Sequence, residues 1–235
     1  MMKPSVQKDG MVFSVTGTTQ SNLSVLLNLL PAGSTVPASV PYSVSYPHTM
    51  GFAVPSQISF TARGYRLNRC GAVFSGITWL TAGVLSLEYL WNRVRVQGGA
   101  YGAGFQTDRS GNVYSYSYRD PTPGKTLKAD FGASSFLKEF AADEDRLNKY
   151  IISSLNELNP LLSPREKGAL ADSRIMTGIT REDTERVRQE ILNAKGKDLI
   201  ECAEWLDRFA AEGSVCVVGP RKILKNCNGL EITEL

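Results

Sequence analysis

The segment Leu90–Gly104, LWNRVRVQGGAYGAG, constrains the fold of this chain more than any other. A helical stretch carrying Arg95 runs into the adjacent pair Gly98–Gly99, and an extended segment opens at Tyr101. Glycine supplies the left-handed backbone that closes a helix, so the chain is expected to turn sharply there. Arg95 and Tyr101, one charged and one neutral donor, then stand on either side of a backbone corner. Such a pair suits an oxygen that gains negative charge during a reaction.

The flanking sequence divides into elements around that corner. Val12–Thr16 alternates as a strand, and Asn22–Leu30 reads as a short apolar helix stopped by Pro31. Ala32–Pro55, with Pro37, Pro41, Pro47 and Pro55, reads as a long irregular connection. Gln57–Arg63 alternates as a half-buried strand. Cys70–Leu87 reads as a buried helix with a break near Gly83, after which Ser86 is placed to cap a second helix ending at Gly98–Gly99. Ala100–Thr107 and Val113–Tyr118 form a hairpin about Asp108–Asn112, with Tyr114, Tyr116 and Tyr118 on one face and Val113, Ser115 and Ser117 on the other. Thr122–Pro123 starts a helix, and Asp143 caps another with Leu147, Ile151, Leu155 and Leu158 in one stripe. A turn at Pro160–Lys167 precedes helices near Glu166–Met176, Arg181–Asn193 and Asp198–Ala211. The last buries Leu199, Cys202, Ala203, Leu206 and Phe209, and two strands close the chain, Ser214–Val218 of the apolar type buried on both faces and a weaker one at Gly229–Thr233. The expected class is α+β in two layers: a sheet of about six strands covered on one face by helices.

Composition excludes several functions. The chain has 235 residues, 42% of them hydrophobic, which allows one large domain or two small ones around a real core. A net charge of +3, with Lys and Arg dispersed among Asp and Glu, argues against nucleic acid. Cys70–Leu87 lacks charge, but Ser75, Thr78, Thr81, Ser86 and three glycines dilute its hydropathy, so a core helix is expected and no membrane span. Cys70, Cys202, Cys216 and Cys227 form no C-x-x-C and read as small buried hydrophobes in a reducing compartment. No signal-peptide pattern opens the chain, so Asn22-Leu23-Ser24 carries no weight as a glycosylation sequon.

Other motifs fail on context. PGKT at Pro123–Thr126 mimics the end of a phosphate loop, but the first glycine would have to stand at Arg119. GAYGAG joins helix to strand, the reverse of a dinucleotide loop. His48 is the single histidine and reads as a turn residue; no H-x-x-E-H is present, so no metal ligand set is expected. No G-x-S-x-G elbow exists for a serine nucleophile.

LWNRVRVQGGAYGAGF, followed by VYSYSYRDPTPGKTL, resembles the last domain of the presequence protease family. That family belongs to the pitrilysin and insulin-degrading group of inverted-motif zinc peptidases. LLNLLPAG near the start, GFAVPSQISF at Gly51–Phe60 and TGITREDTERVRQEIL at Thr177–Leu192 fall in the same order, so the resemblance covers nearly the whole chain. It implies that residues 1–235 form one domain, the last of four homologous ones, each a two-layer α+β unit.

The resemblance also implies roles. Arg95 and Tyr101 would hold a peptide backbone and polarise the scissile carbonyl, with Gly98, Gly99 and Ala100 as substrate-binding positions. Zinc would lie in the missing N-terminal portion, which is the expected partner along with unfolded peptide substrates. The chain alone is then expected to be inactive, free of cofactor, and prone to self-association through the surface its neighbour covers. The expected location is the cytoplasm or an organelle matrix. A non-catalytic scaffold module of the same fold is the alternative, and the intact R-V-Q-G-G-A-Y-G motif favours the peptidase.

Overall fold

A computed structural model of the chain describes residues 14–17, 25, 28–33 and 48–234. These residues cluster into two compact units. The smaller takes its described residues from within Met1–Ser45 and from Pro160–Asp183; the larger comprises Tyr46–Asn159 and Thr184–Leu235.

The larger unit is built on one mixed sheet of β1 (Thr49–Ala53), β2 (Ser59–Arg66), β3 (Gly102–Thr107), β4 (Asn112–Asp120), β5 (Ser214–Gly219) and β6 (Glu231–Glu234), in the order β3-β4-β2-β5-β1-β6. β1 runs parallel to both β5 and β6, and the remaining pairs are antiparallel. Burial alternates along β2, β4 and β5. Ser59, Thr61 and Arg63, with Val113, Ser115 and Ser117, face the helices, while Phe60 and the three tyrosines of β4 face away. This is the expected α+β sheet covered on one face.

The helical segments are α1 (Leu67–Cys70), α2 (Gly76–Val84), α3 (Leu85–Val96), α4 (Pro123–Ala129), α5 (Ala133–Phe140), α6 (Glu144–Leu158), α7 (Pro164–Thr177), α8 (Arg181–Leu192), α9 (Gly196–Glu212) and α10 (Arg221–Leu224). The expected stripes hold. Leu147 and Ile151 of α6 are buried, as are Leu199, Cys202, Ala203, Leu206 and Phe209 of α9. All of these but Ala203 join Leu80, Val84, Leu85, Phe105, Leu137 and Phe140 in one core, each large aliphatic or phenyl side chain contributing about 1.5–3 kcal/mol by leaving water. Asp143 caps α6, its carboxylate accepting from the Arg146 amide at 3.0 Å. Within the smaller unit, Ser163 and Glu166 form the capping box of α7, and Gly178 closes it at φ +68°.

Three expectations need correction. Ser14–Thr16 have no regular structure, and Val12 and Phe13 lie outside the described residues. The missing strand is instead β1, inside the stretch expected to be irregular. TMGFA is short and bounded by Pro47 and Pro55, and its pairing with β5 and β6 is remote in sequence, so local periodicity does not reveal it. Of Asn22–Leu30, Val25, Asn28 and Leu29 are helical and Leu30 is a bend; the rest lies outside the described residues, as does 34–47 of the connection.

The second correction concerns Cys70–Val96. The helix starts at Ser75, whose side chain and that of Thr78 form a capping box, and it passes through Gly83 without a break. From Leu85 it widens into a π-helix. Ser86 is no cap. Its hydroxyl accepts from the Phe105 amide at 2.7 Å and donates to the Phe105 carbonyl at 2.8 Å. β3 is an edge strand, so Ser86 occupies backbone groups that no strand pairs and ties the helix to the sheet. The third correction is β5. It is not buried on both faces: Cys216 and Val218 are half-buried on the open side.

Candidate functional site

The corner at the end of α3 has a definite geometry. The Gln97 amide donates to the Asn92 carbonyl at 3.0 Å, the i→i−5 spacing of a π turn. Gly99 adopts φ +80°, its amide donating to the Arg95 carbonyl at 3.0 Å, and the Ala100 amide reaches the Val94 carbonyl at 3.1 Å. A Cβ on Gly98 would stand 2.5 Å from the Val94 carbonyl oxygen, so Gly98 is required by close approach and Gly99 by conformation. Ala100 is buried, and β3 begins at Gly102, one residue later than Tyr101.

Arg95 and Tyr101 meet across that corner. The Arg95 guanidinium stacks 3.9 Å above the Trp91 ring. Its Nε donates to the Tyr101 carbonyl at 2.9 Å, so the side chain of one fixes the backbone of the other. That leaves the terminal nitrogens, the bidentate edge of the guanidinium, without a hydrogen bond among the described residues. The Tyr101 amide donates to the Tyr118 carbonyl at 3.2 Å, while its side chain is 59% exposed.

Sequence reasoning missed the second cation of this site. The Arg119 guanidinium lies over the Tyr101 ring, 5.4 Å from its centroid. Arg95, Val96, Gly99, Ala100, Tyr101 and Arg119 line one open depression of about 460 Å³. Neither arginine forms an ion pair among the described residues. Arg119 has φ +50°, the one non-glycine residue with positive φ among those described. The cause is a bulge: Ser59 pairs with Asp120 but Phe60 with Tyr118, leaving Arg119 over. Strict alternation after Val113, Ser115 and Ser117 would drive Arg119 into the core. The bulge buries Asp120 instead, and an inward-phased arginine just before Asp120 was the available signal.

Asp120 anchors this arrangement. It is fully buried, and its carboxylate accepts from Ser117 Oγ at 2.7 Å, Thr126 Oγ1 at 2.5 Å and the Thr122 amide at 2.8 Å. Its peptide carbonyl accepts from the Ser59 hydroxyl. The Thr126 hydroxyl of PGKT is therefore committed to a structural bond. Tyr118 is placed from the other side by Gly102, its cross-strand partner, where a Cβ would collide with the ring. The Tyr101 and Tyr118 rings lie 5.5 Å apart.

A larger cavity of about 990 Å³ lies elsewhere, lined by His48, Arg63, Tyr65, Lys125 and Glu212 among others. Volume alone would favour it, but Arg63, Tyr65, Glu212 and His48 are engaged within the fold, and its other cations, Arg69, Lys125 and Lys128, make no side-chain hydrogen bond among the described residues. Arg63 donates to Asp130 at 2.7 Å and to the Ala210 and Leu127 carbonyls, Tyr65 donates to Glu212, and His48 faces Ser214 at 3.3 Å. Burial pushes the Asp130 carboxyl above the ordinary range, with Arg63 pulling it back. Among the described residues no three His, Cys, Asp or Glu side chains group to hold a metal ion. Cys70, Cys202 and Cys227 are buried, Cys216 is half-buried, and burial raises all four thiols, Cys70 to about 11. No described helix is long and apolar enough to cross a membrane.

A mixed sheet covered on one face by helices is also the fold of solved peptidase domains, pitrilysin among them at a TM-score of 0.52 and 15% identity, covering 79% of this chain and 22% of that one. The inactive peptidase domain of a Bordetella parapertussis protein described as a zinc protease has this fold, with a TM-score of 0.56 at 17% identity, covering 70% of this chain and 94% of that one. The chain belongs to the PreP C-terminal domain family, whose model matches residues 50–220. Protein HypA of Clostridium perfringens is 34% identical over 175 residues, covering 74% of this chain and 18% of the relative. Presequence protease 1, chloroplastic/mitochondrial, of Arabidopsis thaliana is 31% identical over 176 residues, covering 74% of this chain and 16% of the relative. The chain thus spans under a fifth of the length of these curated relatives.

Proposed function

We propose that this chain is the last of four homologous domains of a zinc metalloendopeptidase that degrades unfolded peptides. It supplies the Arg/Tyr pair and not the metal. One observation carries the reading: Arg95 and Tyr101, in a segment matched by the PreP C-terminal domain model, converge on one open depression. The Arg95 terminal nitrogens offer a planar fork to a peptide carbonyl, and the exposed Tyr101 hydroxyl offers a neutral donor to an oxyanion. Gly99 and Ala100 shape the wall against which the peptide lies, and Gly98, which does not line the depression, contributes through the turn it permits.

The residues here do not fit zinc: there is one histidine, and no ligand cluster exists among the described residues. Zinc belongs to the N-terminal portion, the partner that completes the site, and the isolated domain is inactive. The exposed Phe60, Trp91, Val96 and Tyr118 support self-association of the isolated domain where that partner is absent. Of the two expected locations, relatives named chloroplastic or mitochondrial favour an organelle over the cytoplasm. A pure scaffold would have no use for two convergent donors.

The test is steady-state kinetics of the full-length enzyme on a short peptide. Tyr101→Phe removes one oxyanion donor, for an expected loss on the order of 10²-fold in turnover with KM little changed. Arg95→Ala should weaken both KM and turnover, and Arg95→Lys should rescue poorly because the fork is lost. Wild-type turnover in Tyr101→Phe refutes the assignment.

A further inference from the structure

We propose that Arg119 is the positioning residue of Tyr101, holding the phenol ring so that its hydroxyl points into the depression. The inference rests on the reading of Tyr101 as an oxyanion donor and extends it to a residue that no comparison singles out. Three observations converge, the first two being aspects of one backbone irregularity. Arg119 occupies a left-handed conformation that L residues rarely adopt, at φ +50°. It is the extra residue of a bulge, a device that re-aims one side chain relative to its strand. Its guanidinium ends over the Tyr101 ring and lines the same depression as Arg95.

The surroundings explain how the unusual backbone persists. Asp120 on one side is fixed by four hydrogen bonds, three to its carboxylate and one to its carbonyl. Tyr118 on the other side is held over Gly102. Arg119 is itself exposed, so burial does not account for an arginine here; glycine or asparagine would suit the conformation better. What an arginine adds is a flat cation over a tyrosine that is 59% exposed and whose one aromatic ring contact among the described residues is Tyr118. With Arg95 holding the Tyr101 carbonyl and Arg119 its ring, the hydroxyl is pre-set and needs no ordering when a peptide arrives.

The test uses the full-length enzyme and a double-mutant cycle. Arg119→Asn and Arg119→Gly keep a residue compatible with positive φ, so folding is spared, and unchanged melting temperatures check this. Each should lower kcat on the order of tenfold while KM moves less than about twofold, the signature of a mispositioned donor. Arg119→Lys retains a cation for the ring and should recover part of the loss. In a Tyr101→Phe background, Arg119→Asn should cost nothing further, because no hydroxyl remains to be positioned. If Arg119→Asn keeps full kcat while Tyr101→Phe is impaired, the proposal is wrong and the reading of Tyr101 stands. If the two losses multiply, Arg119 contacts the peptide separately and the proposal is again wrong. If Tyr101→Phe itself has full turnover, the reading of Tyr101 fails and the proposal falls with it.

Discussion

Replacing Asp120 with alanine is expected to be among the most damaging single changes in the larger unit. The side chain is fully buried, and its carboxylate accepts from Ser117 Oγ, Thr126 Oγ1 and the Thr122 amide. Alanine would leave two buried hydroxyls and the half-buried Thr122 amide without their acceptor. An orphaned buried donor costs about 1–3 kcal/mol, and rotation of the two hydroxyls recovers part of it, so the expected loss is about 3–5 kcal/mol. Asp120→Asn keeps Oδ1 for the amide and turns its NH₂ toward hydroxyls that can rotate to accept, for a loss of about 1–2 kcal/mol. For a chain of this size each kcal/mol lowers Tm by about 2–4 °C. The alanine variant should therefore melt roughly 6–20 °C lower and the asparagine variant only a few degrees lower. Urea and thermal unfolding of the purified chain, followed by circular dichroism, measure both. An alanine variant within about 1 kcal/mol of the parent would mean that the network is not structural, and the account of how Arg119 is held would be wrong.

Gly102→Ala should destabilise by about 1–2 kcal/mol, because Tyr118 must swing off the strand, whereas Gly64→Ala, with nothing within 4 Å of its Cβ, should be near neutral; paired melting curves decide. The thiols should resist alkylation at neutral pH, with half-buried Cys216 reacting first and Cys70 last in a mass-spectrometric time course. Because Cys70 ionises near 9.0 when unfolded and at about 11 when folded, its contribution to stability is complete below pH 9 and lost as pH rises toward 11. Cys70→Ala should flatten that alkaline decline in pH-dependent unfolding. The purified chain should hold no stoichiometric zinc by elemental analysis, since it has one histidine and no ligand cluster among its described residues.

Elements that carry their own periodicity were legible in the sequence. The stripe Leu147, Ile151, Leu155 and Leu158, the Asp143 cap and the tyrosine strand all follow from local spacing, and the structure places them as read. β1 was not legible, because a five-residue strand held by parallel neighbours is specified by partners far along the chain. The junction at Val84–Leu85 was misread for a related reason. Gly83 and Ser86 look like a stop and a restart, but Ser86 answers to Phe105, an edge residue on a strand not yet formed when the helix is read alone. At the candidate site, residue type and the Gly-Gly corner marked Arg95 and Tyr101 only as a pair of donors, and their proposed role came from the resemblance to the presequence protease family. Arg119 was not legible, since a bulge is a property of pairing between β2 and β4 and leaves only a phase slip in the sequence.

That phase slip ties the site to a turn far from it. Gly102 and Gly104 of β3 face Tyr118 and Tyr116 of β4, and in each case the ring fills the space a Cβ would occupy. GAYGAG and YSYSY are thus two halves of one surface, meaningful only in register. The register is set at Asp108–Asn112, where Asp108 accepts from the Asn112 amide at 3.1 Å and donates its own amide to the Asn112 carbonyl at 3.0 Å, with Gly111 at φ +80° between them. A slip of one residue there would turn every tyrosine of β4 toward the helices and set Gly102 against the wrong neighbour. Tyr101 would then lose Tyr118 and Arg119 together. The geometry of the Arg95–Tyr101 corner is therefore fixed from two directions, by the π-helix that ends in Gly98–Gly99 and by a hairpin turn at the opposite end of the strand it enters.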